Sequence, residues 1–351
     1  MKFVVVGAGA VGARAARQLM SPAPDGSSGE DVVLVDPDAG RLAAVVASLG
    51  APARAAPAMP ALAPGDVVLL AMPGSPNGRS GREGESGHRT VADAVLAQGG
   101  HVVSVSDAIG EVRSLLELDD EASGNGQHVV VGAGFSPGLS CVLAALAGRA
   151  FERVDEIHVA KVGTAGPACA RQHHRALAEH VFDWRDGEWE ERSGGSGREL
   201  CWFPDPVRAV DCYRAATPEA LLLVPAFPGV NRVTARMGAN RRDRLTARLP
   251  MLRRPHPEGD LGAIRVEVRG IQGTARDDRV LGVIDRPAIA AGAVSALACL
   301  WAAGGRLLRP GAGGLAALVE PGPFLALLAE RGVKVAIFEG GQHGAPVTPH
   351  V

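Results

Sequence analysis

Short, mainly apolar runs recur through the first 135 residues, separated by segments of helical period. Phe3 to Val6, Asp31 to Val35, Asp66 to Met72, His101 to Val105 and His128 to Val131 read as strands covered on both faces. Between them, Arg14 to Leu19, Arg41 to Ser48, Thr90 to Gln98 and Glu111 to Ala122 read as helices. Strands alternating with helices specify a parallel, doubly wound α/β sheet. The pattern then changes. Val154 to Val162 alternates apolar with polar positions, a turn follows at Gly163–Pro167, and Ala168 to His180 is helical. Asp183 to Trp189 holds an Asp-Gly pair between tryptophans and reads as a hairpin. Pro225 to Arg236 and Ala263 to Gly273 supply further strands, so this region is expected to be a mixed α+β sheet with one face covered.

Pro287 to Gly304 is the most apolar later stretch. It falls just short of a membrane-spanning length, contains Gly292, and reads as a buried helix. The expected layout is therefore residues 1–133, 134–286, and a C-terminal helical segment, 287–351, packed back on the first domain. One loop stands apart. Pro73 to Arg89 is rich in Gly, Ser and Arg and has no apolar face, so it reads either as a lid or as an insertion without function.

The first strand runs directly into Gly7-Ala8-Gly9-Ala10-Val11-Gly12. In a strand–turn–helix setting this is the dinucleotide-binding fingerprint of a Rossmann domain. Gly7 allows the tight turn, Gly9 the approach of a pyrophosphate, and Gly12 close packing of helix on strand. Asp36 ends the second strand, 24 positions beyond Gly12, where a carboxylate accepts hydrogen bonds from ribose hydroxyls and repels a 2′-phosphate. NAD is the expected cofactor, with NADP less favoured; Asp38 and Arg41 lie close enough in sequence to moderate that choice. Cofactor contacts are expected from Gly7, Gly9, Ala10, Val11, Gly12, Asp36, and from Met72, Pro73 and Ser104 at strand ends.

Composition narrows the classes. A formal net charge of -2 and an aromatic content of 4% argue against a nucleic-acid partner. Five scattered cysteines without a C-x-x-C fit a reducing cytoplasm, without a disulfide framework or a cysteine-rich zinc site. The start shows no cleavage site after its apolar run, and no membrane association is expected. Only Lys2, Lys161 and Lys334 are lysines, so a catalytic lysine has few candidates.

After the fifth strand the chain turns through Gly134-Phe135-Ser136-Pro137-Gly138-Leu139. With the N-terminal glycine turn, the strand His101-Val102-Val103-Ser104-Val105-Ser106-Asp107 and the tail Glu320-Pro321…Phe324-Leu325, the sequence resembles the saccharopine dehydrogenase (saccharopine reductase) family. Lysine 6-dehydrogenase-like and carboxynorspermidine dehydrogenase-like enzymes belong to it. The resemblance implies a Rossmann domain, a mixed domain for substrate and homodimer contacts, and C-terminal helices returning to the first domain. It further implies hydride transfer through NAD or NADP at a C–N bond of an amino-acid or polyamine substrate. Its motifs place substrate contacts at Ser106, Phe135, Ser136, Pro137 and Gly138. Family members carry acidic residues where this chain has Ser136 and Ser140, so saccharopine itself is not the expected substrate.

A proton must move with the hydride. Asp107, relayed by Ser136 or a water, is the first candidate for that role and Lys161 the second. For an acidic substrate, Arg171 and Arg232 (with Arg236) offer guanidinium forks. His173, His174 and His180 invite a metal reading, but neighbouring residues point to different helix faces and no nearby carboxylate completes a set, so no metal is expected. No cysteine has a histidine in a recognisable motif, and Cys141 at a helix start is expected to be packing. Two other readings stay open: a non-catalytic NAD(P)-binding sensor or biosynthetic partner, and a dehydrogenase acting on a hydroxyl or carbonyl group.

Overall fold

The computed structural model describes residues 1–21, 30–74, 87–251 and 255–338. Residues 75–86 of the glycine-rich loop, on which the lid reading falls, lie outside the described residues.

The first domain runs β1 (Phe3–Val6), α1 (Ala10–Met20), β2 (Val32–Val35), α2 (Ala39–Leu49), β3 (Arg54–Ala56), β4 (Val67–Leu70), α3 (Gly87–Leu96), β5 (His101–Ser104), α4 (Ile109–Leu116), α5 (Asp119–Gly124) and β6 (His128–Val131). All strands pair in parallel, in the order β3-β2-β1-β4-β5-β6. The apolar runs are buried on both faces, as their unbroken Val and Leu content requires. Strand order reverses between β1 and β4, which opens a crevice at the carboxyl ends of these strands. The single helix expected over Glu111–Ala122 is instead two, broken around Glu117–Leu118. Asp119 opens the second, and its carboxylate takes hydrogen bonds from Ala312 N (2.7 Å) and Arg309 (2.8 Å), a tether from far along the chain.

Through the Gly134–Gly138 turn the chain enters α6 (Leu139–Gly148), then β7 (Arg153–Val162), α7 (Pro167–Ala176), β8 (His180–Arg185), β9 (Glu188–Ser193), β10 (Glu199–Trp202), β11 (Ala209–Arg214), α8 (Glu219–Leu223), β12 (Arg232–Gly238), α9 (Arg241–Thr246), β13 (Gly262–Gln272) and β14 (Ala275–Asp285). These strands form a second sheet in the order β10-β11-β12-β7-β13-β14, in which β12 and β7 are parallel and the other pairs antiparallel. The hairpin β8–β9 turns at Asp186-Gly187, both with positive φ, as a two-residue hairpin loop demands. Alternation along β7 sends Ile157 and Val159 into the core under α6, together with Val233, Val266 and Val268. The strand expected from Pro225 starts only at Arg232. Pro225 lies in a 3₁₀ turn, and Pro228 has no N–H to give a ladder.

The tail departs most from expectation. It contains α10 (Pro287–Ala303), β15 (Gly311–Gly314), α11 (Leu315–Leu318), α12 (Pro321–Glu330) and β16 (Val335–Phe338). Two of these are strands rather than helices. β15 extends the first sheet beside β6, and β16 extends the second beside β14. α10 is buried on nearly all sides and lies on α1, β4 and β5. Gly292 sets the closeness of that packing: a Cβ there would stand 2.6 Å from Arg14 Cβ and 3.0 Å from Ala15 N. No helix among the described residues is long and apolar enough to cross a membrane.

Candidate functional site

The glycine turn lies between β1 and α1, at the carboxyl edge of the first sheet. Gly7 has a φ of 105°, and a Cβ at Gly12 would sit 1.9 Å from Gly7 O, so neither position accepts a side chain. Gly9 differs, since a Cβ there would meet nothing within 4 Å. Its backbone thus borders open space at the helix N-terminus, the arrangement that lets a pyrophosphate approach the free N–H groups. The turn fits a dinucleotide.

Asp36 is buried at the end of β2. Its carboxylate accepts from Ala8 N (2.7 Å), Asp38 N (2.9 Å) and the Arg41 guanidinium (2.9 Å). Burial alone would raise its pKa, but the bonds from Arg41, Asp38 and Ala8 outweigh burial and hold it below the usual carboxylate range. The acid is therefore ionised and fixed against the glycine turn. Arg41 is half exposed beside both Asp36 and Asp38, where it tempers the repulsion that Asp36 offers to a phosphate.

Further along the sheet edge, His88 from α3 is fully buried. Its Nδ1 lies 3.0 Å from Ser104 Oγ and its Nε2 3.1 Å from Met72 O. Burial depresses its pKa, and the neutral ring bridges the ends of β4 and β5. Ser104 Oγ in turn accepts from Ser106 N at 3.2 Å. Sequence reading missed His88, which sits at the margin of the glycine-rich loop without a motif around it.

The second domain meets this edge from above. Gly166, at the head of α7, packs so closely on the head of α1 that a Cβ there would lie 3.1 Å from Ala10 Cβ. α7 then carries Cys169 and His173 on one face towards Asp107, which follows β5. His173 Nε2 lies 2.9 Å from Asp107 Oδ2, 3.4 Å from Cys169 Sγ and 3.2 Å from Lys161 Nζ. Cys169 Sγ is 3.8 Å from Asp107 Oδ2. Lys161, on β7, is 2% exposed and donates to Ser136 O at 2.8 Å. His173 Nδ1 has no hydrogen-bond partner among the described residues. Burial works against ionising Asp107, yet the His173 hydrogen bond and the charges of His173 and Lys161 pull its pKa down. For His173, burial and Lys161 favour the neutral ring, while Cys169 and Asp107 favour the cation and lift it to about 9.

The two residues expected to handle protons, Asp107 and Lys161, are thus brought to one cluster, with His173 between them. The turn Gly134–Gly138 is buried beside it. Its Ser136 hydroxyl donates to Glu219 Oε1 at 2.5 Å, so a carboxylate from α8 lies against the turn although none occurs within it. Glu219 Oε2 is buried without a hydrogen-bond partner among the described residues. The arginines are not brought in. Arg171 is exposed on α7, and Arg232 starts β12 opposite Glu156, at the far end of the strand from Met237, which pairs with Lys161. Arg236 is held by Glu199 at 2.5 Å and Gly197 O at 3.0 Å. His174 faces away to Thr246 O, 2.9 Å distant, and His180 pairs with Glu191. Burial raises the Cys141 thiol to about 12, so it serves as packing.

Two sequence expectations need correction here. A cysteine does have a histidine partner, since Cys169 and His173 are four apart on one helix face, and a carboxylate does stand with them, supplied by Asp107 from the other domain. The i, i+4 spacing was the available signal.

No protein-family model matches the chain, and no curated protein matches it. Solved structures do. Saccharopine dehydrogenase (L-Glu forming) from Saccharomyces cerevisiae superposes over 96% of this chain and 100% of its own, with a TM-score of 0.67 at 15% identity. An amine dehydrogenase from Mycobacterium smegmatis matches over 91% of this chain and 96% of its own, with a TM-score of 0.50 at 12% identity. The chain shares the two-domain fold of the yeast enzyme, a Rossmann sheet joined to a mixed sheet, over 96% of its length.

Proposed function

We propose that the chain is an NAD(P)-dependent oxidoreductase transferring hydride at a carbon–nitrogen bond of an amino-acid or polyamine-type substrate, with NAD preferred over NADP. The observation that carries this reading is a meeting of two halves at one sheet edge. The glycine turn with Asp36 lies on one side, and the cluster of Asp107, His173 and Lys161 on the other. The names of the two structural neighbours support the carbon–nitrogen class. When bound, the dinucleotide supplies or accepts the hydride.

Gly7, Gly9, Ala10, Val11 and Gly12 would hold the pyrophosphate, Asp36 a ribose, and Met72, Pro73 and Ser104 the path along the strand ends. Oxidising an amine removes a hydride from carbon and a proton from nitrogen, and the proton is the protein's task. Lys161 is placed for it: it is buried, held by Ser136 O and in contact with His173 Nε2. Asp107 acts as the counter-charge. Ser106, Phe135, Ser136, Pro137 and Gly138 would line the substrate side of this cluster. A homodimer belongs to the same proposal and is checked by sedimentation equilibrium. So does a reducing compartment, which the five free cysteines support.

The test is to supply NAD or NADP with a panel of amino acids, diamines and polyamines and follow nicotinamide reduction. Lys161→Met should lower turnover about a hundredfold or more while dinucleotide binding persists. Reduction with hydroxy acids but no amine would favour the hydroxyl reading. Failure to bind either dinucleotide would remove the oxidoreductase reading altogether.

A further inference from the structure

We propose that Asp107, Cys169 and His173 form a binding site for a divalent transition-metal ion of the zinc type, open on the side of the substrate cleft. The three groups offer one oxygen, one sulfur and one nitrogen from two domains, all within 4.8 Å of one another. A tetrahedral zinc ion with Zn–N near 2.0–2.1 Å and Zn–S near 2.3 Å sets the ligand edges at about 3.3 Å for N···O, about 3.6 Å for N···S and about 3.5 Å for O···S. The observed edges are 2.9, 3.4 and 3.8 Å. Shifts of a few tenths of an ångström close the difference, with no change of fold.

Charge agrees with geometry. A carboxylate and a thiolate together cancel a divalent ion, which is the condition for holding it out of water. Three groups also converge on the single atom His173 Nε2, which has room for one proton. A proton there serves one neighbour, whereas a metal ion joins the nitrogen to both the oxygen and the sulfur. Lys161 is outside the ligand set, committed to Ser136 O. Its ammonium opposes the ion, so the site should release metal to a chelator rather than hold it as a permanent structural centre. Three protein ligands with a fourth position free is the arrangement of catalytic zinc.

What the ion does rests on the proposed oxidoreductase reading: it would polarise a carbonyl oxygen or imine nitrogen of the substrate as a Lewis acid. Its binding can be tested separately. The whole protein, stripped with a chelator and dialysed, is titrated with zinc sulfate by calorimetry and with cobalt(II) by absorption. One zinc per chain with a Kd of about 1 μM or tighter is expected, with a cobalt–thiolate charge-transfer band. Cys169→Ser should abolish that band, and both it and His173→Gln should weaken zinc about a thousandfold, beyond the ~10–100-fold that loss of a supporting contact costs. Circular dichroism of each variant checks that it folds.

X-ray absorption of the zinc-loaded wild type gives a variant-free answer. One sulfur and two or three nitrogen or oxygen neighbours support the site; a shell without sulfur overturns it. So does the absence of stoichiometric binding, or binding unchanged in Cys169→Ser. NADH titration of the same samples separates the two ideas. Zinc without NADH binding retains the metal site and removes the oxidoreductase reading, and NADH without zinc does the reverse.

Discussion

Replacing Asp36 by alanine is the perturbation whose size follows most directly from the structure. Three donors lose their acceptor, but not at equal cost. Ala8 N is buried, 2% exposed as a residue, and cannot turn to water. Its charge-assisted bond contributes about 1.5–3 kcal/mol. The Asp38 amide stands at an exposed helix entrance and is readily solvated, while Arg41 is half exposed and adds little. Loss of about 2–3 kcal/mol is therefore expected, read as a lower urea midpoint at neutral pH. The pH dependence supplies a second reading. The folded-state pKa of Asp36 lies below its unfolded value of 3.8, so its stabilisation is present above that pH and disappears as pH falls through the folded value. The gap between wild type and variant should then narrow on acidification below about pH 4. The same substitution should weaken NADH and reduce discrimination against NADPH in calorimetric titrations. A variant as stable as wild type at neutral pH, or a gap that does not change with acid, would show that Asp36 does not anchor the glycine turn.

Gly292→Val tests the helix contact that ties the C-terminal segment to the first domain. With a Cβ already 2.6 Å from Arg14 Cβ, overpacking should cost about 1–3 kcal/mol by thermal or urea unfolding, and an unchanged midpoint would mean that α10 does not pack so tightly. His101 and His128 lie with ring centroids 5.0 Å apart and planes tilted by 40° on neighbouring strands, and burial followed by the charge of His128 lowers His101 to about 4. Because the folded pKa is below the unfolded 6.5, the native state should lose stability as pH falls from about 6.5 towards 4, and His101→Asn should flatten that part of the stability profile.

The parts legible in the sequence are those whose physics is local. Gly7, Gly9, Gly12 and Asp36 lie within one strand–turn–helix–strand unit, and their spacing implies their geometry. Lys161 stood out as one of only three lysines, and Asp107 as the acid ending a strand. What assembles them was not legible. His173 and Cys169 reach Asp107 only because the head of α7 rests on the head of α1, a contact across more than 150 residues of chain. Glu219 escaped for a similar reason: it lies 83 positions from the Ser136 hydroxyl it receives. Arg171 and Arg232 illustrate the converse, since the right chemistry on the right element still faces away if the helix face or strand end is wrong. β15 was invisible because Gly-Ala-Gly-Gly has no apolar period and pairs through backbone alone.

The path of the tail has a consequence for the order in which the protein is made. A ribosome that has released β1 to β6 has produced a sheet whose β4, β5 and α1 surfaces still await α10, and whose β6 edge still awaits β15. The β14 edge of the second sheet gains its neighbour later still, from Val335–Phe338. Neither half is fully covered until the segment from Pro287 to Phe338 has emerged. Until that segment is in place the nascent chain carries open apolar faces and unpaired strand edges, which expose it to mispairing and aggregation.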